Sequence, residues 1–310
     1  MNKRIGALAL VAASAVALAG CSGGAGAGTE TGSQGDELDS LTGVIGSKDF
    51  AEQYVLAYIT TELFRAHGAD VEANIDLVGS TNVRQAFEND EFLGYWDYTG
   101  TGWITYLGET EPVQGAEAQF DAVAEADLEQ NGIVWLEPAP LNNTYALAGA
   151  SGTLEDLGVS TLSDVAALPA DEQTFCIESE FSTRDDGWPG LRDAYGFEDS
   201  TALLDTGIIY TATAEGADCT FGEVFETDGR IPAMDLTVLE DDQEFFPAYQ
   251  GSFTVKQETL DEHPAIADVI GLVSPLLTTE VMQDLNSQVD VDGEDPEDVA
   301  IDWLTEQGLI

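Results

Sequence analysis

Residues 41–310 alternate between strand-like and helix-like segments, and this alternation restricts the fold more than any other feature of the sequence. Strands that alternate with helices indicate an α/β fold, in which open sheets are flanked by helices. A length of about 270 residues is near the size at which one core divides into two. Strands are predicted at 42–46, 71–77, 92–96, 132–136, 144–149, 173–178, 201–205 and 219–225, and helices at 49–68, 161–168, 188–195 and 207–216.

Several predicted helices carry recognisable ends. Pro189 stands at a first helical position and Gly196 at a stop position. The run Gly79-Ser-Thr-Asn offers capping groups for another helix, and Asp295 followed by Pro296 predicts the start of a last one. Because ligands in open α/β sheets bind at the carboxyl ends of strands, the loops there are candidates for a site.

The amino terminus reads as a targeting segment. Lys3 and Arg4 precede an apolar run over 5–19, which is too short to span a bilayer, and the run ends in Leu-Ala-Gly before Cys21. We therefore predict a lipoprotein signal peptide over 1–20, lipid on Cys21 and a flexible linker over 21–40. This places the protein outside the cell, anchored to the outer face of the cytoplasmic membrane. An ordinary secretory signal with a chance cysteine is the alternative.

The charge balance excludes several functions. The chain has 59 acidic and 9 basic residues, a formal charge of −50, so nucleic acid is not an expected partner. Only two histidines are present, which argues against a multi-histidine metal site and a histidine-based triad. We expect no metal and no cofactor. The acidity resembles that of proteins exposed to high salt, where self-repulsion is screened.

Two further cysteines, Cys176 and Cys219, lie in the strand-like runs 174–177 and 219–222. An extracytoplasmic compartment permits a disulfide, and we predict that they pair. Two buried thiols are the alternative, because the sequence does not show their separation.

Aromatic residues cluster where predicted strands begin or end. They lie in a glycine-rich loop over 95–103, at the strand start 142–145, at the strand end 225–230 and in the probable crossover segment 245–249. Aromatic side chains at such positions are costly to expose, so they line a cleft or anchor the core.

Several segments of the chain, taken together and in their order, resemble a known family. This family is the substrate-binding proteins of osmoprotectant ABC importers, which capture glycine betaine, choline, carnitine and related quaternary amines. The matching segments are 45–54 (IGSKDFAEQY), 97–101 (DYTGT), 143–147 (NTYAL), 178–191 (ESEFSTRDDGWPGL), 227–231 (TDGRI), 239–249 (LEDDQEFFPAY) and 290–293 (DVDG).

The resemblance implies a two-lobed fold of the periplasmic-binding-protein type II. One lobe would comprise 41–141 plus 249–310, the other 142–248, with the ligand in the cleft between them and closure around it. It implies a monomeric, non-enzymatic receptor that delivers its ligand to an ABC permease with its ATPase.

The resemblance also implies a set of ligand-binding residues. A trimethylammonium group has no N–H to donate, whereas aromatic faces attract it, each by up to about 2 kcal/mol. The implied aromatic cage is Tyr98, Tyr145, Phe225 and Tyr249, and Phe225 stands where relatives commonly have Tyr.

For the carboxylate of a betaine, the matching donors are Lys48, Arg184 and Thr101, supported by Asn143 and Thr227. Lys48 favours a carboxylate-bearing ligand such as glycine betaine or proline betaine over choline, and a choline- or carnitine-specific receptor of the same importer class is the alternative. The alternatives are a solvated Lys48 and an Arg184 paired with Asp185 or Asp186.

Two other classes of function are alternatives to a transport receptor. A surface hydrolase would need a nucleophile and a base, and no such pair is evident in the sequence. A purely sensory module would differ by the absence of a permease and ATPase encoded beside it.

Overall fold

The computed structural model describes residues 35–75, 77–109, 113, 115–198 and 200–310. The predicted signal peptide, Cys21 and most of the predicted linker therefore lie outside the described residues. The end of that linker is folded, in contrast to the prediction. Residues 37–40 form a turn, Leu38 is fully buried, and its N–H donates to the carbonyl of His67 at 2.9 Å. Burial of this one leucine fixes a segment whose neighbours are polar.

Ten strands form two sheets. They are β1 Thr42–Gly46, β2 Asp70–Asn74, β3 Gly94–Tyr98, β4 Ile133–Trp135, β5 Tyr145–Ala150, β6 Phe175–Ile177, β7 Thr201–Leu203, β8 Phe221–Phe225, β9 Leu236–Val238 and β10 Gly251–Lys256.

The helices lie between the strands and after them. They are α1 Ala51–Ala66, α2 Ser80–Glu88, α3 Thr99–Thr101, α4 Ala116–Asn131, α5 Ser151–Leu157, α6 Leu162–Ala166, α7 Trp188–Tyr195, α8 Thr206–Glu215, α9 Arg230–Ala233, α10 Gln257–Glu262, α11 Ala265–Val273, α12 Thr279–Asp290 and α13 Pro296–Gln307, with a π-helical turn at Gly102–Tyr106 and a 3₁₀ turn at Ser274–Leu276.

Both sheets have the same layout. The first has the order β2-β1-β3-β10-β4 and the second β7-β6-β8-β5-β9. In each, four strands run in one direction, and the strand in the fourth place, β10 or β5, runs antiparallel to both of its neighbours. We call each sheet with its helices a lobe. The predicted α/β, two-lobed architecture is confirmed.

The chain crosses between the lobes twice, once between β4 and β5 and once between β9 and β10. The two crossings run side by side, because Asn142 bridges to Gln250 and the N–H of Asn143 donates to the carbonyl of Tyr249 at 3.1 Å. The predicted lobe boundaries, after 141 and after 248, fall in these crossings and stay a prediction.

The helix ends follow the sequence in some places and not in others. α7 begins with Pro189 near its start and ends at Gly196, whose φ of 76° is left-handed, and Asp295 caps α13 by accepting from the N–H of Glu297 at 3.0 Å. The start of α2 differs from the prediction. Its own side chains do not cap it; Glu180, which is 100 residues away, accepts from the N–H of Ser80 at 3.2 Å.

The prediction of a glycine-rich loop after Tyr98 is wrong. The segment continues as α3 and the π-helical turn. The glycines serve close packing instead of a turn: a Cβ on Gly100 would lie 2.5 Å from the ring of Tyr249, and one on Gly102 2.6 Å from the ring of Trp135.

Among the described residues, no single helix combines the length and apolar character that a membrane crossing requires. One pair, Ala265–Leu276 with Thr279–Asp290, meets that test only when taken together across a bend of 88°.

Candidate ligand-binding site

A cavity of about 410 Å³ lies between the lobes and is lined by residues of both. The first lobe, the second lobe and both crossings contribute to its wall. Its lining residues are Lys48, Asp49, Phe50, Val78, Gly79, Ser80, Tyr98, Thr101, Asn143, Tyr145, Glu178, Ser179, Glu180, Thr183, Thr206, Phe225 and Tyr249.

Sheet topology explains why aromatic residues meet at this cavity. Tyr98 and Phe225 are the last residues of the parallel strands β3 and β8, whereas Tyr145 is the first residue of the antiparallel strand β5. A strand that runs antiparallel to its neighbour begins where that neighbour ends. Tyr145, at the start of β5, therefore pairs directly with Phe225, at the end of β8. In the same way, Tyr249 lies just before β10, beside the end of β3. The last and first residues of such strands therefore share one edge.

The rings are in mutual contact. The centroid of Tyr145 lies 5.1 Å from that of Phe225 and 5.4 Å from that of Tyr249, whose ring is perpendicular to it. Phe50, which the sequence analysis did not identify, stacks on Phe225 at 5.5 Å and lies 6.3 Å from Tyr98. The structure thus brings the four predicted cage residues together and adds a fifth ring.

Two of the cage phenols donate to buried carboxylates. The hydroxyl of Tyr98 donates to Glu52 Oε1 at 2.6 Å and accepts from Gln53 Nε2 at 3.0 Å, and that of Tyr249 donates to Asp186 Oδ2 at 2.5 Å. Burial raises the pKa of both phenols well above the ordinary value, and the neighbouring carboxylate raises it further. Both hydroxyls therefore stay protonated and hold their rings in place.

Lys48 is a buried cation on the cavity wall, not a solvated surface lysine. Its side chain is 5% exposed, and its Nζ donates to Asp97 Oδ1 at 2.7 Å. The same nitrogen lies 5.0 Å from the ring centroid of Tyr98. Lys48 and Thr101 both line the cavity, and their binding of a ligand carboxylate stays a prediction.

Arg184 is placed differently from the other predicted donors. Its Nε and Nη2 donate to Asp186 at 2.8 and 2.5 Å, and its Nη1 donates to Glu180 at 2.9 Å. It lies beside the cavity with its guanidinium 5.4 Å from the ring centroid of Tyr145, and it does not line the wall. The ion pair with Asp186 is the alternative that the sequence left open, and direct contact with a ligand carboxylate stays a prediction.

Asn143 and Thr227 converge on a residue that the sequence analysis overlooked. Glu52 is 2% exposed and accepts from Asn143 Nδ2 at 2.9 Å and from Asn286 Nδ2 at 3.2 Å, as well as from Tyr98. Burial raises the pKa of Glu52, and hydrogen bonds from Thr227 and the other three donors oppose that shift. Glu52 thus lies behind the cage, joined to both lobes.

A helical pattern in the sequence could have revealed Glu52. It stands four residues before Leu56, seven before Ile59 and eleven before Leu63, all fully buried, so it belongs to the apolar face of α1. An ionisable residue on the buried face of a helix is a signal for function.

The second lobe contributes carboxylates to the same wall. Glu178 and Glu180 line the cavity, and Glu223 lies behind Glu178, accepting from its N–H at 2.7 Å. Burial raises the pKa of Glu223 to about 8. Burial alone would raise the pKa of Glu180, but the positive charges of Lys48 and Arg184 hold it below its ordinary value.

Cys176 and Cys219 form a disulfide, with their Cα atoms 5.6 Å apart. Within the described ranges, no group of three or more His, Cys, Asp or Glu side chains is arranged to hold a metal ion. Arg84 and Arg230, which lie outside the cavity wall, form ion pairs with Asp127 and Asp228.

Comparison with known proteins places this geometry in a family. Residues 43–306 match OpuAC, the substrate-binding domain of ABC-type glycine betaine transport systems. The chain belongs to the OpuAC family. It is 35% identical over 277 residues to the glycine-betaine-binding protein of Pseudomonas aeruginosa, a match that covers 86% of this chain and 88% of that protein.

Other OpuAC relatives extend the comparison. The carnitine transport binding protein OpuCC of Listeria monocytogenes is 31% identical, over 84% of this chain and 85% of its own. A crystal structure described as a glycine betaine/carnitine/choline ABC transporter superposes with a TM-score of 0.73 at 26% identity, covering 86% of this chain and 99% of that chain. Members of the OpuAC family are substrate-binding proteins of ABC transporters, which are not enzymes.

Proposed function

We propose that the protein captures a quaternary ammonium osmoprotectant outside the cell, with glycine betaine or proline betaine as the favoured ligand. It then delivers this ligand to an ABC permease with its ATPase. The observation that carries the proposal is the meeting of Tyr98, Tyr145, Phe225 and Tyr249 around one interlobe cavity.

Such a cavity suits a methylated cation for two physical reasons. The ring faces attract the charge through their quadrupoles, and the same surfaces accept the methyl groups without demanding hydrogen bonds from them. The phenol hydroxyls of Tyr98 and Tyr249 are already satisfied by Glu52 and Asp186, so the rings stay fixed when a ligand enters.

For the carboxylate of a betaine, Lys48 and Thr101 are the proposed partners on the wall. Lys48 keeps two further N–H donors besides the one given to Asp97. Arg184 would have to share or exchange a hydrogen bond with Asp186 or Glu180 to reach the ligand, so we assign it a part in carboxylate binding only on closure of the lobes.

The acidic side of the wall favours a second candidate, choline. Asp49, Glu178 and Glu180 line the cavity, whereas Lys48 is the one basic residue among the described residues of its wall. A ligand with net positive charge gains from that balance. Carnitine, which also bears a carboxylate, would use the same residues as a betaine.

The location of the protein is also part of the proposal. The amino-terminal segment up to Cys21 supports cleavage after residue 20 and a lipid anchor on the outer face of the cytoplasmic membrane. We expect a monomer on this anchor, engaging the permease after closure.

Isothermal calorimetry with glycine betaine, proline betaine, carnitine and choline tests the ligand. We expect Tyr145→Ala to weaken binding of the best ligand by at least about tenfold, because one ring of the cage is lost. Phe197→Ala is the matched control: this ring is buried in the second lobe, away from the cavity, so it should lower stability and leave affinity unchanged. Equal affinities in wild type and Tyr145→Ala would remove Tyr145 from the cage.

The same measurement on Lys48→Gln separates betaine from choline. If Lys48 binds a carboxylate, the variant loses more affinity for glycine betaine than for choline. Equal losses would contradict that role.

A further inference from the structure

Glu52 is a buried carboxylate with no cationic partner among the described residues. It is 2% exposed, and none of the ion pairs in the described part of the chain includes it. Its partners are the hydroxyl of Tyr98, the amides of Asn143 and Asn286, and Thr227. All of them are neutral donors, which stabilise a charged carboxylate without cancelling its charge.

Other buried carboxylates near the cavity lose their charge in one of two ways. Glu223 does so by holding a proton, because burial raises its pKa to about 8, and two aspartates do so by pairing with a cation. Asp97 is paired with Lys48, and Asp186 is paired with Arg184.

The cost of burying a carboxylate is offset either by a proton or by a counter-charge. Around Glu52 the hydroxyl of Tyr98 and the amides of Asn143 and Asn286 all donate, so a proton on Glu52 would displace one of these hydrogen bonds. A counter-charge leaves all of them in place.

The position of Glu52 indicates where that counter-charge lies. Glu52 itself does not line the cavity, but Tyr98 and Asn143, which contact it directly, do. A cation held against the ring of Tyr98 is therefore separated from Glu52 by one side chain. Because Glu52 and Tyr98 are buried, the attraction is screened much less than at the surface.

The hydrogen bond also changes the ring. A phenol that donates to a carboxylate at 2.6 Å shares its proton more strongly than one that donates to water, so electron density moves onto the π face. A more negative face attracts a cation more strongly and leaves an uncharged ligand unaffected.

We propose that Glu52 is a positioning and specificity residue, whose negative charge, acting through Tyr98, selects cationic head groups over uncharged groups of the same shape. This inference rests on the proposed function, because it requires a quaternary ammonium group in the cage.

The test compares glycine betaine with tert-butylacetate, in which carbon replaces the cationic nitrogen, by calorimetry and competition on the full chain. For Glu52→Gln, which keeps the size and two hydrogen-bonding atoms, we expect affinity for glycine betaine to fall by roughly tenfold or more. Affinity for tert-butylacetate should stay the same or rise. A purely structural role would lower both affinities by the same factor.

Asp127→Asn is the matched control. Asp127 is equally buried but is paired with Arg84 away from the cavity, so its loss should lower stability without changing the ratio of the two affinities. An unchanged ratio in Glu52→Gln, or an equal change in Asp127→Asn, would overturn the inference.

A second variant covers the case in which Glu52→Gln fails to fold. Tyr98→Phe keeps the ring and removes the hydroxyl that joins it to Glu52. The ratio of the affinity for glycine betaine to the affinity for tert-butylacetate should therefore fall, but by less than in Glu52→Gln. A ratio equal to that of the wild type would refute the role of Glu52. If the wild type binds none of the quaternary amines, the proposed function itself fails and this inference falls with it.

Discussion

At the scale of single residues, a buried carboxyl group makes the stability of this protein depend on pH. Glu223 is 3% exposed and accepts from the N–H of Glu178, and burial raises its pKa from the ordinary 4.5 to about 8. It stays protonated in the folded protein over a pH range in which the unfolded chain has lost the proton. Its position behind Glu178 places a group that ionises near pH 8 next to the cavity wall.

The sign of this linkage gives a prediction for Glu223→Gln. Because the folded-state pKa is the higher one, the contribution of Glu223 to stability is fully present below about pH 4.5 and is lost as pH rises through about 8. The variant, which cannot ionise, should lose less stability than the wild type across that range. Melting temperatures between about pH 5 and pH 8.5 measure the difference.

An exposed glutamate provides the control for this experiment. Glu129→Gln should follow the wild-type dependence on pH, since Glu129 lies at the surface of α4. Parallel curves for Glu223→Gln and the wild type would contradict the assignment.

At the scale of elements, the turn after β3 decides how closely the cage is packed. α3 and the π-helical turn place Gly100 against the ring of Tyr249, at a distance that leaves no room for a Cβ. A loop with larger residues would push Tyr249 away from Tyr145. The conformation of this short segment therefore determines the position of a cage residue on the neighbouring crossing.

We expect Gly100→Ala to weaken ligand binding and to cost about 1–3 kcal/mol of stability through overpacking against Tyr249. Gly271→Ala in α11 is the matched control, because no atom lies within 4 Å of its added Cβ and alanine favours a helix by about 0.5–1 kcal/mol. Urea unfolding and calorimetry measure both effects. A stable Gly100→Ala with wild-type affinity would show that Tyr249 adjusts freely.

At the scale of the whole molecule, the charge of −50 opposes the compact state. Only nine basic residues are present, and several of them are held in buried ion pairs, as with Lys48 and Asp97. A zwitterionic ligand gains no net steering from this field, so the acidity concerns stability and habitat more than substrate.

Sodium chloride should therefore stabilise the protein. Between dilute buffer and about 1 M salt the Debye length falls to about 3 Å, and repulsion between surface carboxylates is screened. We expect the melting temperature to rise over this range, measured with chloride instead of sulfate, because sulfate stabilises folded proteins by exclusion. A flat or falling melting temperature would argue against adaptation to salt.

Much of the fold could be predicted from local pattern. β1 matches its predicted range, α7 has its predicted proline and glycine, and α8 begins within one residue of the prediction. The strand β10 was not predicted, although it lies between β3 and β4 in the first sheet. Its place depends on pairing with strands more than a hundred residues away, which local periodicity does not encode.

The candidate site was predictable in its residue types and less so in its connections. The sequence by itself determined that aromatic residues stand at strand ends, because strand ends follow from local pattern and the family motifs identify the rings. Only the tertiary structure decided that Arg184 is held by Asp186, that Phe50 joins the cage, and that Glu52 lies behind Tyr98. Hydrogen bonds and burial depend on which distant segments meet, and that is settled when the two lobes fold against their shared crossings.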